Sequence, residues 1–170
     1  MKRIIPVAVA LTLAGCAGPE PRSEGQLASE LGVSGSSVAA QYECRHAIAA
    51  KGAKSAAWAD SMCIRTRDRM VFGRYDPRSK RYVQSAVVPF NTIKAAKHYT
   101  GSPHEVQLET DAGVHTFFAK KNGLMFVNDN DRTDQEYAAL AGAGLPTAQA
   151  THAIRNSQQS SFVPIFIPSR

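Results

Sequence analysis

The sequence predicts a small α+β domain, with short N-terminal helices, an antiparallel meander of about six strands and a short C-terminal helix. Three observations carry this expectation. Apolar residues in 38–51 recur at helical spacing, and residues 69–128 alternate short β-prone runs with Gly, Asn, Asp and Pro. A capping-box pattern then opens at Thr133. A chain of 170 residues has room for one domain with flanking segments.

Taken in order, Ser37 is positioned to cap a helix over 38–51, with Gly52 as its stop. Ala40, Cys44, Ala47, Ile48 and Lys51 share its spacing, which puts Cys44 on or beside the buried stripe. A second helix is predicted from Ser55 over 56–62, carrying Trp58 and leaving Cys63 at its exit. Strands follow over 69–75 and 81–90, joined by a charged turn at Pro77. Further strands are predicted over 92–99, 105–110, 114–120 and 124–128. Asp111-Ala112-Gly113 and Lys121-Asn122-Gly123 suit hairpin connections, because Gly and Asn tolerate positive φ. In the helix opened by Thr133 and Glu136, hydroxyl and carboxylate are expected to satisfy each other's backbone N–H groups. That helix runs to about residue 142 and breaks through Gly144 and Pro146. Apolar residues and prolines mix over 162–168, the mark of an edge strand or extended segment.

The chain opens with Lys2 and Arg3, then an uncharged apolar run over 4–13, then Ala14, Gly15 and Cys16. This is the layout of a secretory signal, and the apolar run is shorter than the roughly 20 residues a bilayer-spanning helix needs. Leu13-Ala14-Gly15-Cys16 resembles the lipobox of bacterial lipoproteins. That resemblance implies cleavage of residues 1–15, lipidation of Cys16 and a membrane anchor. Ala17, where aspartate would resemble an inner-membrane retention signal, favours the outer membrane. Residues 17–36 are rich in Gly, Ser, Pro and Glu and read, after the lipidated cysteine, as a tether with a reach of about 25 Å. The globular domain is then expected over 37–154 and an extended tail over 155–170.

Cleavage lowers the formal charge from +6 to +4 and leaves Cys44 and Cys63. In an oxidising compartment an even pair in a small domain reads as a disulfide, in preference to a metal or catalytic thiol pair.

One stretch, AVVPFNTIKAAKHYTGSPHEVQLETDAGVHTFFA (86–119), is similar to the pleckstrin-homology-like superfamily and its GRAM-like branch. The matching positions are Pro89, Phe90, Ile93, Val106, Leu108, Thr110, Gly113, Phe117 and Phe118. The resemblance implies two packed sheets used mostly for binding, not catalysis. The family's longer terminal amphipathic helix is a departure, since the predicted one here is short and Ala-rich.

Residues 45–81 carry ten Lys/Arg against three acids, and residues 105–136 reverse that balance. Arg65, Arg67 and Arg69 alternate, so on one strand they would project from one face and hold an anionic lipid headgroup or cell-wall polymer. The plainer reading is a solvated face paired with Asp68 and with the acidic segment over 105–136. Export argues against nucleic acid as a partner. No histidine pair has helical zinc spacing, although His98 and His104 flank a hairpin and can approach each other; no metal site is assigned. Asn128-Asp129-Asn130-Asp131 lacks the glycine and distal glutamate of a calcium loop. No nucleophile motif is present, so the expectation is a non-enzymatic, lipid-anchored envelope module that binds or adapts, with no cofactor. The alternatives are a structural subunit of an envelope assembly, meeting a protein partner, and an envelope enzyme whose site the sequence does not display.

Overall fold

Burial alternates residue by residue where helices were expected. The computed structural model describes residues 22–121 and 127–157 and places strand β1 over Val38–Ala49, β2 over Ser55–Ala56 and β3 over Ala59–Thr66. Ala40, Tyr42, Cys44 and His46 point inward while Gln41, Glu43 and Arg45 remain partly exposed. A period of two belongs to a strand, not a helix. The helices expected over 38–51 and 56–62 are therefore absent, and the α+β reading is corrected. The described chain is mostly β, one eight-stranded mixed sheet with two α-helices.

The later strands lie close to their predicted positions: β4 (Arg69–Asp76), β5 (Arg81–Pro89), β6 (Ala95–Tyr99), β7 (Glu105–Glu109) and β8 (Val114–Ala119). The β4–β5 turn is held by Asp76, whose carboxylate accepts from the backbone N–H of Arg78 at 3.0 Å and from Ser79 Oγ at 2.7 Å. Gly113, at φ 146°, closes the β7–β8 hairpin against the Ala49 carbonyl, where a Cβ would approach to 2.6 Å. Helix α2 spans Asn130–Gly142, and a short β9 (Thr147–Gln149) and β10 (Arg155–Asn156) follow. The sheet order is β5-β4-β3-β1-β8-β7-β6-β9, antiparallel except for the parallel pair β6–β9. A separate parallel pair joins β10 to β2. The strand expected over 124–128 and the segment over 162–168 lie largely or wholly outside the described residues, as do Cys16 and the signal sequence.

Val88 on β5 and Ala96 on β6 sit near opposite ends of the strand order yet share one core with Tyr42, Phe72, Leu108, Phe117 and Leu140. The sheet therefore bends around that core, and α2 closes it with Leu140. Phe117 and Phe118 face opposite sides of β8, so Phe118 joins a second cluster with Ala47, Ala49, Trp58 and Ile154.

A third cluster corrects the tether. Within 16–36, Glu24–Glu30 forms helix α1, capped by Ser23 and Gln26 in a reciprocal capping box. Leu27, Ala28 and Leu31 are buried against Ile64 and Val71 on the outer face of β3 and β4. Two leucines of this kind contribute about 2–3 kcal/mol each when buried, enough to dock a helix of seven residues. Gly73 makes room for it, since a Cβ there would lie 2.6 Å from the Leu31 side chain.

The capping box expected at Thr133 is also corrected. Asp129 is the N-cap, accepting from the Arg132 N–H at 3.0 Å. Thr133 sits a turn further in, donating to the Asp129 carbonyl and accepting from the Ala119 N–H. Glu136 turns inward to a buried ion pair instead of back to the helix start.

Cys44 and Cys63 are disulfide-bonded, with Cα atoms 5.9 Å apart and both residues fully buried in the main core. The link ties β1 to β3 across a sequence separation of 19 and stabilises the fold by about 3 kcal/mol on the chain-entropy argument.

Candidate functional site

The three arginines read as a row do not form one. Arg65 ends in β3, Arg67 lies in the turn, and Arg69 begins β4. The row required a single strand, and the chain reverses direction at Arg67-Asp68. Arg65 Nε donates to Glu136 Oε2 at 2.8 Å, pinning α2 to the sheet, and Arg132 joins the same carboxylate at 3.2 Å. Arg69 pairs with Asp68. Arg65 is thus committed to structure, and no shared anion surface results.

A different concavity does gather charge. A cleft of about 570 Å³ opens beside β1 and β8, with Trp58, Phe118 and Ile154 as its apolar lining and Arg45, Lys120 and Arg155 as its cations. Trp58 and Phe118 pack at a tilt with centroids 5.1 Å apart. Arg45 Nε lies 3.7 Å from Asp60 Oδ1, close enough for an ion pair and too far for a hydrogen bond. That buried N–H is left without an acceptor. Lys120 donates to the same Asp60 oxygen at 3.1 Å, and Arg155 is exposed. Three cations, two of which share the one exposed carboxylate of Asp60, beside an aromatic floor, can receive an anionic group carrying an apolar portion.

The back of this cleft is built on Glu105, which is 1% exposed. Its carboxylate accepts from Thr116 Oγ1, from Gln107 Nε2 at 2.9 Å and from the Ile154 N–H at 3.2 Å. Burial pushes its pKa up, against the pull of these donors. Gln107 also donates to the His152 carbonyl at 2.8 Å, and Trp58 Nε1 to the Ile154 carbonyl at 2.9 Å. Residues 152–154 are thereby fastened across the cleft floor.

Two histidine groups lie elsewhere. His46 is buried and stacks on Phe72 at 3.8 Å, with its Nε2 3.3 Å from His115 Nδ1. Burial, then the neighbouring His115 and Arg74, hold its pKa down at about 3. His98 and His104 do approach each other, as their hairpin placement allows, and Asp134 on α2 stands between them. His98 Nε2 is 2.9 Å and His104 Nδ1 2.7 Å from the same Asp134 Oδ1.

Sequence reading missed Asp134, Glu105 and the cleft cations as site residues. His98 and Asp134 are 36 positions apart, and no local pattern links them. Glu105 shares its strand face with Gln107, opposite Val106 and Leu108, and both faces of β7 are buried, so alternation gave no local signal for it.

No protein-family model matches the chain, and no curated protein matches it. Among solved structures it is similar to one described as "Vav1 inhibited by an allosteric inhibitor: Vav1 inhibitors block GEF activity". That likeness has 10% identity and a TM-score of 0.42, over 61% of this chain and 25% of that one. The chain thus spans about a quarter of that protein's length, and a likeness of this degree decides neither family nor activity. The fold defines a class by itself: a bent mixed sheet, antiparallel but for its β6–β9 edge, closed by a helix and carrying an open cleft lined by three cations.

Proposed function

We propose that this protein is an exported, lipid-anchored envelope module on a pleckstrin-homology-like scaffold, binding an anionic ligand in the Trp58/Phe118 cleft without chemistry of its own. The scaffold reading is supported by strand succession. Four strands in antiparallel succession (β1, β3, β4, β5) precede three more (β6, β7, β8) and then a closing helix. Residues 86–119, which carry the resemblance, supply part of β5, all of β6–β8 and the buried Ile93, Val106, Leu108 and Phe117. The buried disulfide is consistent with folding outside the cytosol.

The observation that carries the binding reading is the set of three cations on this cleft, Arg45, Lys120 and Arg155, of which Arg45 and Lys120 share the single carboxylate of Asp60. A phosphate or carboxylate there balances the positive charge that Asp60 alone leaves unmatched. Lipid headgroups and cell-wall polymers share that chemistry. Titrating the protein with phosphatidylglycerol vesicles, phosphatidylcholine vesicles and soluble cell-wall fragments separates these sources. Substituting Arg45, Lys120 and Arg155 together by Gln is expected to weaken anion binding at least about tenfold per lost charge-assisted bond. The exposed Arg67→Gln should leave it unchanged. Equal binding by the triple variant removes the cleft from consideration.

Anchorage is tested separately. Labelled palmitate is expected to incorporate into the full-length protein and not into Cys16→Ser, which should move from the membrane to the soluble fraction. Among the described residues no helix is long and apolar enough to cross a membrane, so in this reading the acyl chains do the holding.

A further inference from the structure

We propose that His98, His104 and Asp134 form a binding site for a divalent transition-metal ion of the zinc type, independent of the anion cleft and of the anchor. The ligand set arises from three separate elements. His98 is on β6, His104 is in the loop before β7, and Asp134 is on α2. Their ligand atoms all lie within 4.8 Å of one another. Zinc binds imidazole nitrogen and carboxylate oxygen at about 2.0–2.2 Å, which sets neighbouring ligand atoms about 3.4 Å apart. The His98 and His104 nitrogens stand 2.9 and 2.7 Å from Asp134 Oδ1, within about 1 Å of that spacing.

As they stand, both imidazoles aim a nitrogen at one oxygen, Asp134 Oδ1, at 2.9 and 2.7 Å. Both nitrogens are then N–H donors. A cation entering the triangle displaces those two protons, each neutral ring taking its proton onto the other nitrogen (His98 Nδ1 and His104 Nε2), and accepts a lone pair from each ring and the carboxylate charge from the helix. Two imidazoles and a carboxylate suit zinc and its first-row neighbours better than calcium or magnesium, which prefer oxygen.

The surroundings hold the ligands in place, as metal sites require. The Tyr137 ring stacks on His98 with centroids 4.5 Å apart, and its hydroxyl is anchored on the Ala148 carbonyl. Asn130 Oδ1 accepts from the His104 backbone N–H at 3.1 Å. Access is open on one side, for the Asp134 side chain is 43% exposed while those of His98 and His104 are 13% and 24% exposed. Three protein ligands leave one coordination position for water or for an incoming acidic group.

The test uses the full mature chain in detergent, stripped with a chelator and titrated calorimetrically with zinc chloride. One ion per chain with a Kd of about 1 μM or tighter is expected. His98→Ala and His104→Ala should each weaken it at least about tenfold, whereas His152→Ala, outside the cluster, should not. Absence of a binding isotherm overturns the proposal. So does an unchanged isotherm in a His98→Ala/His104→Ala variant that keeps the wild-type melting temperature. If the variants fail to fold, cobalt added to the wild type decides the matter. Visible absorption bands of four- or five-coordinate nitrogen/oxygen ligation, displaced by zinc, support the site, and a spectrum of free aqueous cobalt overturns it.

Discussion

Replacing Glu105 with alanine is expected to destabilise the domain by about 2–5 kcal/mol, with the loss concentrated in the segment that follows β9. The reason is the number of donors that converge on one buried carboxylate. Thr116 Oγ1, Gln107 Nε2 and the Ile154 N–H all donate to it, and burial denies Thr116 and Ile154 a replacement from water. Each orphaned donor costs about 1–3 kcal/mol, and part of that is offset because a charge no longer has to be desolvated. Glu105→Gln keeps an acceptor oxygen and removes the charge, so it should cost less than alanine. Urea unfolding gives the ranking, and amide exchange locates it. The Ile154 N–H, protected in the wild type, should exchange faster in Glu105→Ala, while the β3–β4 hairpin should retain its protection. An alanine variant within about 0.5 kcal/mol of wild type would show that the clamp carries no weight. Because Ile154 and Asn156 line the cleft, loosening this segment should also weaken whatever binds there.

The parts of this fold that were legible in sequence are those whose signal is local. The turns at Asp76-Pro77 and Gly113 depend on a side-chain acceptor and a positive φ, and both fell where the residues predicted. The cysteine pair needed only an even count in a small domain. Residues 38–51 misled because alanine serves both periods. Ala40, Cys44, Ala47 and Ile48 mark a helix stripe equally well, and only the polar set Gln41, Glu43 and Arg45 reveals the alternation. The burial phase then changes within β1, from Cys44 and His46 on one face to Ala47 and Ala49 on the other, because Trp58 and Ile154 cover the outer side there. That cover is tertiary, so no window of sequence contains it. Helix α1 was hidden in a polar segment for a related reason. Its three apolar side chains are few, and they are sufficient only because Gly73 clears space on the strand beneath. The Arg65/Arg67/Arg69 alternation failed because a hairpin bisects it. The His98–His104–Asp134 group was half visible, as two histidines around a loop, and its third member came from a helix brought near by tertiary contacts, the burial of Leu140 and the Arg65–Glu136 pair.

Acidification from pH 7 to pH 4.5 is expected to weaken the fold by about 2–3 kcal/mol through His46 alone. His46 is 5% exposed, lies flat on Phe72 and faces His115 and Arg74, so its charged form is disfavoured by burial first and by those two groups next. Its pKa falls from 6.5 in the unfolded chain to about 3 in the folded one. A depressed folded value means that the unfolded state takes up the proton first. The stability is complete above pH 6.5 and is lost as pH falls toward 3, at about 1.4 kcal/mol per unit inside that window. His115, also lowered by burial, adds to the loss. Glu105 opposes it, because a carboxyl raised by burial gains stability as pH falls toward its unfolded value of 4.5. Asp68, Asp76 and Asp111 are held below their ordinary range by hydrogen bonds and act only lower, below about pH 4. Within the window from 6.5 to 4.5, His46 and His115 lose stability and Glu105 gains it, and a single substitution separates them. His46→Gln cannot take the proton, so its unfolding midpoint in urea should fall less steeply over that window than the wild type's. Its stability relative to wild type should improve as the medium becomes more acidic, even if it is lower at pH 7. Parallel profiles for the two proteins would mean that His46 gains its proton in the folded state at no cost, contrary to its stacking and burial.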